Sequence, residues 1–130
     1  MKPQTRVIAD AKSWIIENRN IELALSQRGG MMAPVNFYRD TDEPIQPYYI
    51  SPWQGERLDI DDPVLTTLRG DFFCMPFGAG GRYGNEEHVT HGEPATRDWT
   101  LERYEQGDGR TLFEASLATS VRSGTVKKRI

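Results

Sequence analysis

Cysteine occurs once in this chain, at Cys74, and histidine twice, at His88 and His91. A single thiol excludes an internal disulfide and a cysteine-rich metal knuckle, and it fits a reducing compartment. Cys74 lies between Phe73 and Met75 in an apolar run, which predicts a buried, inert thiol rather than a nucleophile. No stretch approaches the roughly 18 apolar residues of a membrane span, and the start MKPQTRVIADAK lacks the apolar centre of a signal peptide. A soluble, cytoplasmic chain without membrane contact is the expectation. Neither sign of charge dominates: 16 basic against 19 acidic residues leave a net −3, which argues against a nucleic-acid surface built on bulk charge. The one locally basic stretch, Val126 to Ile130, reads as a solvated strand face.

Helical periodicity is scarce as well, and alternation with period two takes its place. Ile21, Leu23 and Leu25 oppose Glu22, Ala24 and Ser26, a half-buried strand ended by Gly29-Gly30. Val7-Ile8 and Trp14-Ile15-Ile16 predict earlier strands, with a turn over Asn18 to Asn20 making a hairpin. Met31 to Tyr38 reads as a returning strand in which Pro34, having no N–H to donate, requires an edge or a bulge. Arg39 to Pro63 is a proline-rich irregular connection, and Pro63 after Asp61-Asp62 allows one helical turn before Gly70. Asp71 to Phe77 reads as an apolar strand. Trp99 to Glu105, Thr111 to Thr119 and Thr125 to Ile130 complete the strands, the first two joined at Gly107-Asp108-Gly109. The 130 residues have the length of one domain, so the expectation is a single all-β, antiparallel β-sandwich. Its last strand stops without a turn signal, and such an edge invites a homo-oligomer through strand pairing.

Chemistry concentrates between Gly78 and Trp99, a Gly- and Pro-punctuated stretch holding both imidazoles. Gly78, Gly80, Gly81 and Gly84 do not form a dinucleotide fingerprint, because Tyr83 stands at the third glycine's place and no helix pattern follows. His88 and His91 among Glu86, Glu87 and Glu93 superficially resemble metal ligands, but spacing of three in a loop is not diagnostic, and neither metal nor cofactor is assigned. Arg69-Gly70-Asp71 is an adhesion tripeptide by spelling only. Trp53, Tyr83 and Trp99 offer flat faces for a sugar ring, with Asn85, Glu93, Arg97 and Asp98 for its hydroxyls. The partner this favours is a small-molecule sugar.

Leu68-Arg69-Gly70-Asp71-Phe72-Phe73-Cys74-Met75-Pro76-Phe77-Gly78, followed by His91-Gly92-Glu93-Pro94-Ala95 and Arg97-Asp98-Trp99, resembles the N-terminal half of the aldose 1-epimerase, or galactose mutarotase-like, proteins. Ser51-Pro52-Trp53-Gln54 and Ser123-Gly124 extend the resemblance from about Ile50 onward. It implies part of a β-supersandwich and an isomerase that opens and recloses a pyranose ring by general acid–base catalysis. His91 of the His-Gly pair takes the catalytic role, assisting at the ring oxygen. Arg82, Asn85, His88, Glu93, Arg97, Asp98 and Trp99 would contact substrate. The chain departs from the family where Gly78-Ala79-Gly80 follows Phe77, which leaves Arg82 as a displaced stand-in for the usual arginine. The family's second histidine and catalytic glutamate have no counterpart in these residues. The resemblance thus implies a sugar-binding region whose catalytic base lies elsewhere, and the alternative is a nonenzymatic β-sandwich binding or self-assembly module.

Overall fold

The computed structural model describes residues 1–130. Strands β1 (Gln4–Ile8), β2 (Ala11–Glu17), β3 (Ile21–Ser26) and β4 (Met32–Phe37) form an antiparallel sheet in chain order. A two-stranded hairpin follows, β5 (Gly81–Tyr83) and β6 (Glu86–His88), then a single helical turn α1 (Glu93–Thr96). Strands β7 (Thr100–Gly107), β8 (Arg110–Thr119) and β9 (Gly124–Arg129) make a second antiparallel sheet, again in chain order. The chain is all-β, as the period-two alternation predicts.

The two sheets face each other across one core. Trp14, Ile16, Leu23, Leu25 and Val35 from the first meet Tyr104, Phe113, Ala115 and Leu117 from the second. Trp14 and Phe113 lie with ring centroids 5.3 Å apart across that interface. Each of the large aliphatic side chains and Phe113 contributes about 1.5–3 kcal/mol of transfer free energy when removed from water. At one end of the sandwich the Glu17 carbonyl accepts from the Thr111 hydroxyl and the Gln106 amide. At the other end the Gln27–Gly30 turn pairs with the chain entering β7: Trp99 N–H donates to Gln27 O at 2.8 Å and Gly29 N–H to Arg97 O at 2.9 Å.

Several expectations hold in detail. Asn18 caps the β2–β3 turn, its Oδ1 accepting from the N–H groups of Asn20 and Ile21. Pro34 sits in the edge strand β4, opposite a break in the β3 register between Leu23 and Leu25. In β8, Phe113, Ala115 and Leu117 are buried, as the alternation requires.

Others need correction. Strand β3 is not half-buried: Ala24 and Ser26 are buried along with Leu23 and Leu25, and Ser13 and Ile15 of β2 likewise. The long connection after β4 folds back toward this sheet, where Arg69 donates to the carbonyls of Ile8 and Ala9 in the β1–β2 turn. Arg69 is fully buried without a carboxylate within ion-pair distance, so three backbone carbonyls, including Thr67 O, carry its charge. Desolvation lowers its pKa accordingly. Asp71 to Phe77 is not a strand. It has no partner to complete a ladder, and its apolar side chains stay partly in solvent, with Phe73 and Cys74 exposed. The thiol is therefore open to solvent rather than buried. Residues 63–67 form successive turns, with Leu65 N–H to Asp62 O and Thr67 N–H to Val64 O, instead of an α-helical turn. No helix is long and apolar enough to cross a membrane.

Candidate functional site

The His-Gly pair is fixed by its neighbours in the chain before it. Met75 N–H donates to His91 O at 3.2 Å, and His91 N–H donates to Gly78 O at 3.0 Å, so Met75 to Gly78 runs against His91-Gly92. His91 has φ of 62°, a left-handed conformation uncommon for a side-chain-bearing residue. Gly92 follows at φ of 82°, and a Cβ there would lie 1.6 Å from Met75 O. Only glycine fits, which explains physically why the Pro-Phe and His-Gly pieces occur together.

Between these two pieces the chain makes the hairpin β5–β6, turning at Gly84-Asn85, with Gly84 at φ of 61°. It pairs with neither sheet. It is tied to the body by His88 and Glu86. The His88 side chain is buried, edge-on to Phe77 at 5.3 Å and to Tyr83 at 5.9 Å, with its Nε2 2.8 Å from Glu86 Oε2. Glu86 in turn accepts from Arg122 Nε, at 2.8 and 3.0 Å to its two oxygens. Hydrogen bonds from His88 first and Arg122 second hold the Glu86 carboxyl below the usual carboxylate range. An ionised Glu86 accepts only, so Nε2 of His88 carries the hydrogen, and in the neutral ring Nδ1 is left as an acceptor with no partner in the chain.

A cleft of ≈ 380 Å³ opens between the end of the hairpin at His88-Val89, the Met75-Pro76 and Gly92-Glu93 pairs, and the β8–β9 turn. That lies within the range of about 300–1,000 Å³ for small-molecule sites. Its walls include Met75, Pro76, His88, Glu93, Thr119, Arg122, Ser123 and Thr125. Glu93 shapes the far wall. Its carboxylate accepts from Ser120 N–H and Oγ–H, Val121 N–H and Arg97 Nη1, pinning the turn after β8 to the start of α1. Burial alone would raise the Glu93 pKa, but the donors of Ser120, Val121 and Arg97 outweigh it and the net shift is downward.

No family model matches this sequence, and no similar curated protein or solved structure is found. The site therefore rests on its own geometry. Of the residues marked in the sequence, His88 and Glu93 line the cleft. His91 does not: its ring stands edge-on to Phe72 at 4.9 Å, outside the lining. Arg82 and Asn85 are exposed on the hairpin, Arg82 Nε donating to Gly84 O. Arg97 supports Glu93 from outside, and Asp98 lies with Arg28 and Arg97 at a separate shallow concavity. Trp99 is a core residue, 5 % exposed, with Nε1–H donating to Pro94 O, so its ring has no free face for a sugar. Trp53 donates to Leu65 O beside another concavity, and Tyr83 packs on Phe77. The three aromatic rings thus share no wall.

Sequence reasoning missed the hairpin, α1 and the whole β8–β9 side of the cleft. Gly84-Asn85 is a two-residue hairpin signal, and Pro94 after Glu93 is a helix-start signal. Arg122 carries no local signal, since only topology brings it to Glu86, 36 residues earlier. No group of three or more His, Cys, Asp or Glu side chains converges as a metal site.

Proposed function

We propose that this chain is a sugar-binding β-sandwich of aldose 1-epimerase-like character, with the ligand in the cleft between the β5–β6 hairpin and the β8–β9 turn. The observation that carries the reading is the imidazole of His88: buried, oriented by Glu86 and Arg122, and part of the wall of a small-molecule-sized cleft. An imidazole so held can accept a hydrogen bond from a sugar hydroxyl through its second nitrogen. The resemblance of Met75 to Gly78 and His91 to Trp99 to the epimerases supports the same ligand class. It assigns the catalytic proton to His91, whereas the geometry favours His88.

The two histidines make the test. Calorimetric titration of the chain with galactose and glucose is expected to show binding that His88→Ala weakens at least about tenfold, while His91→Ala has a smaller effect. Loss confined to His91→Ala would return the role to the His-Gly pair. No binding of either sugar would overturn the reading.

A binding or assembly module is the second reading, and one observation favours it. Phe113 and Ile130 exchange both backbone hydrogen bonds, so by antiparallel alternation the N–H and C=O groups of Thr125, Lys127 and Arg129 point away from β8 with no strand beside them. Charge opposes symmetric self-pairing, since an antiparallel ladder centred on Lys128 would set Lys127 of each copy against Arg129 of the other. On that reading light scattering at high concentration shows oligomers; a strictly monomeric chain removes the assembly part of it.

A further inference from the structure

We infer that the concavity between the β1–β2 turn and the Gln27–Gly30 turn binds a small zwitterion, a polar α-amino acid. It is independent of the sugar reading, because it shares no lining residue with the cleft at His88. Its volume of ≈ 450 Å³ lies within the range of small-molecule sites. Two cations, Lys12 and Arg28, and two anions, Asp10 and Asp98, line it, and no two of the four form an ion pair. Only Asp10 meets an opposite charge at all, Arg57 Nε at 4.0 Å, from outside the lining. Arg28 and Asp98 stand opposite each other in an antiparallel bridge, where unlike charges ordinarily meet. The guanidinium is held elsewhere: Arg28 Nε donates to Thr96 O at 3.0 Å, and both Nη groups have no partner in the chain. The Lys12 and Gln27 side chains bond nothing in the chain either. Thr67, on the same lining, carries the one buried side-chain polar atom without a partner, its Oγ1. Both signs of charge therefore stand unpaired around one concavity, which is the complement of a molecule bearing a carboxylate and an ammonium.

The backbone beneath these charges is fixed. Gln27 N–H donates to Lys12 O and Trp99 N–H donates to Gln27 O, each at 2.8 Å, so three of the contributing segments form one hydrogen-bonded strip. The others are braced by Arg69, which joins Thr67 O to the Ile8 and Ala9 carbonyls just before Asp10. A buried guanidinium without a carboxylate partner is costly to keep, and all three of its acceptors lie in or next to this lining. Groups mounted on so rigid a frame give up little backbone freedom when they bind, which suits a ligand of few atoms. Arg28 and Lys12 receive the carboxylate, Asp98 and Asp10 the ammonium, and the Gln27 amide a polar side chain.

Amide chemical shifts followed during titration with L-glutamine decide it. The expected result is saturable shifts centred on residues 10–12, 27–28, 66–67 and 98–99. Two analogues each lack one charge: 4-carbamoylbutanoate is glutamine without its ammonium, and 4-aminobutanamide is glutamine without its carboxylate. Each should bind at least about tenfold more weakly than glutamine. Arg28→Gln should weaken glutamine at least about tenfold and leave 4-aminobutanamide unchanged, whereas Asp98→Asn should weaken glutamine and leave 4-carbamoylbutanoate no weaker. If Arg28→Gln loses native amide dispersion, Lys12→Gln removes the other cation and carries the same expectation. No binding of glutamine at millimolar concentration overturns the inference, as do shifts centred on His88 and residues 119–126. Equal binding of either singly charged analogue reduces the site to solvated surface charge and overturns it as well. Failure of galactose to bind while glutamine does removes the sugar reading alone.

Discussion

The seam between the two sheets and the cleft beside it are both built from the segment that carries the histidines, yet they are held by opposite means. At the seam, the Trp99 indole is buried against Gly30, where a Cβ would come within 2.8 Å of Nε1. Lys128, on the inner face of the edge strand, stands over that ring and donates to Gly30 O, with Asp71 Oδ2 at 3.8 Å. At the cleft, polar and charged groups are tied by hydrogen bonds and ion pairs: the buried His88 to Glu86, Glu86 to Arg122, and Glu93 to Arg97 and the Ser120-Val121 amides. Close packing tolerates no change of volume, whereas exposed ion pairs contribute little to stability and can be rearranged. The seam therefore fixes the frame, and the cleft is where residues are free to be chosen for a ligand.

Substitutions should separate the two regions. The largest effect is expected from Trp99→Ala, which empties a core site and removes the Pro94 hydrogen bond, at about 3–5 kcal/mol by denaturant unfolding. Gly92→Ala comes next, because its Cβ cannot coexist with the Met75 carbonyl, and a loss above about 2 kcal/mol with shifted amides in residues 75–78 and 88–92 is the expected outcome. Glu93→Gln weakens charge-assisted bonds to the β8–β9 turn and should cost about 1–3 kcal/mol. The same bonds give a pH dependence. Because the folded-state pKa of Glu93 is depressed, its stabilisation is fully present above the ordinary value of 4.5 and is lost as pH falls through the lower folded value. Protection of the Ser120 and Val121 amides, taken relative to the intrinsic exchange rate at each pH, should fall in that acid range and not above it. Glu86→Gln, at a largely solvent-exposed ion pair, is expected to alter unfolding least. A large loss of stability in that variant would erase the contrast between seam and cleft.

Much of the frame was legible because alternation in Thr111 to Thr119 reports a buried face directly, and Asn18 to Asn20 and Gly107 to Gly109 are turn chemistry, whereas Ile21 to Ser26 showed the strand but not that Ala24 and Ser26 are buried as well. Asp71 to Phe77 misled for the same reason. Its composition is that of a strand, but a strand also needs a neighbour, and composition does not say whether one exists. The cleft was half legible. His88 and Glu93 stand out as chemistry in a loop, while Ser123 and Arg122 come to it only through the β8–β9 return. Trp99 shows the opposite error: an aromatic next to Arg97 and Asp98 looks like a binding face, yet the pairing of Gln27 and Gly29 with that stretch turns it inward.

Amide chemical shifts followed during titration with galactose locate the sugar on the molecule. A sugar in the cleft perturbs His88, Val89 and residues 119–126 and leaves the core strands β2 and β3 unmoved. Perturbations centred instead on the concavity of Asp10, Trp53 and residues 54–60, or none at all at saturating sugar, would contradict it.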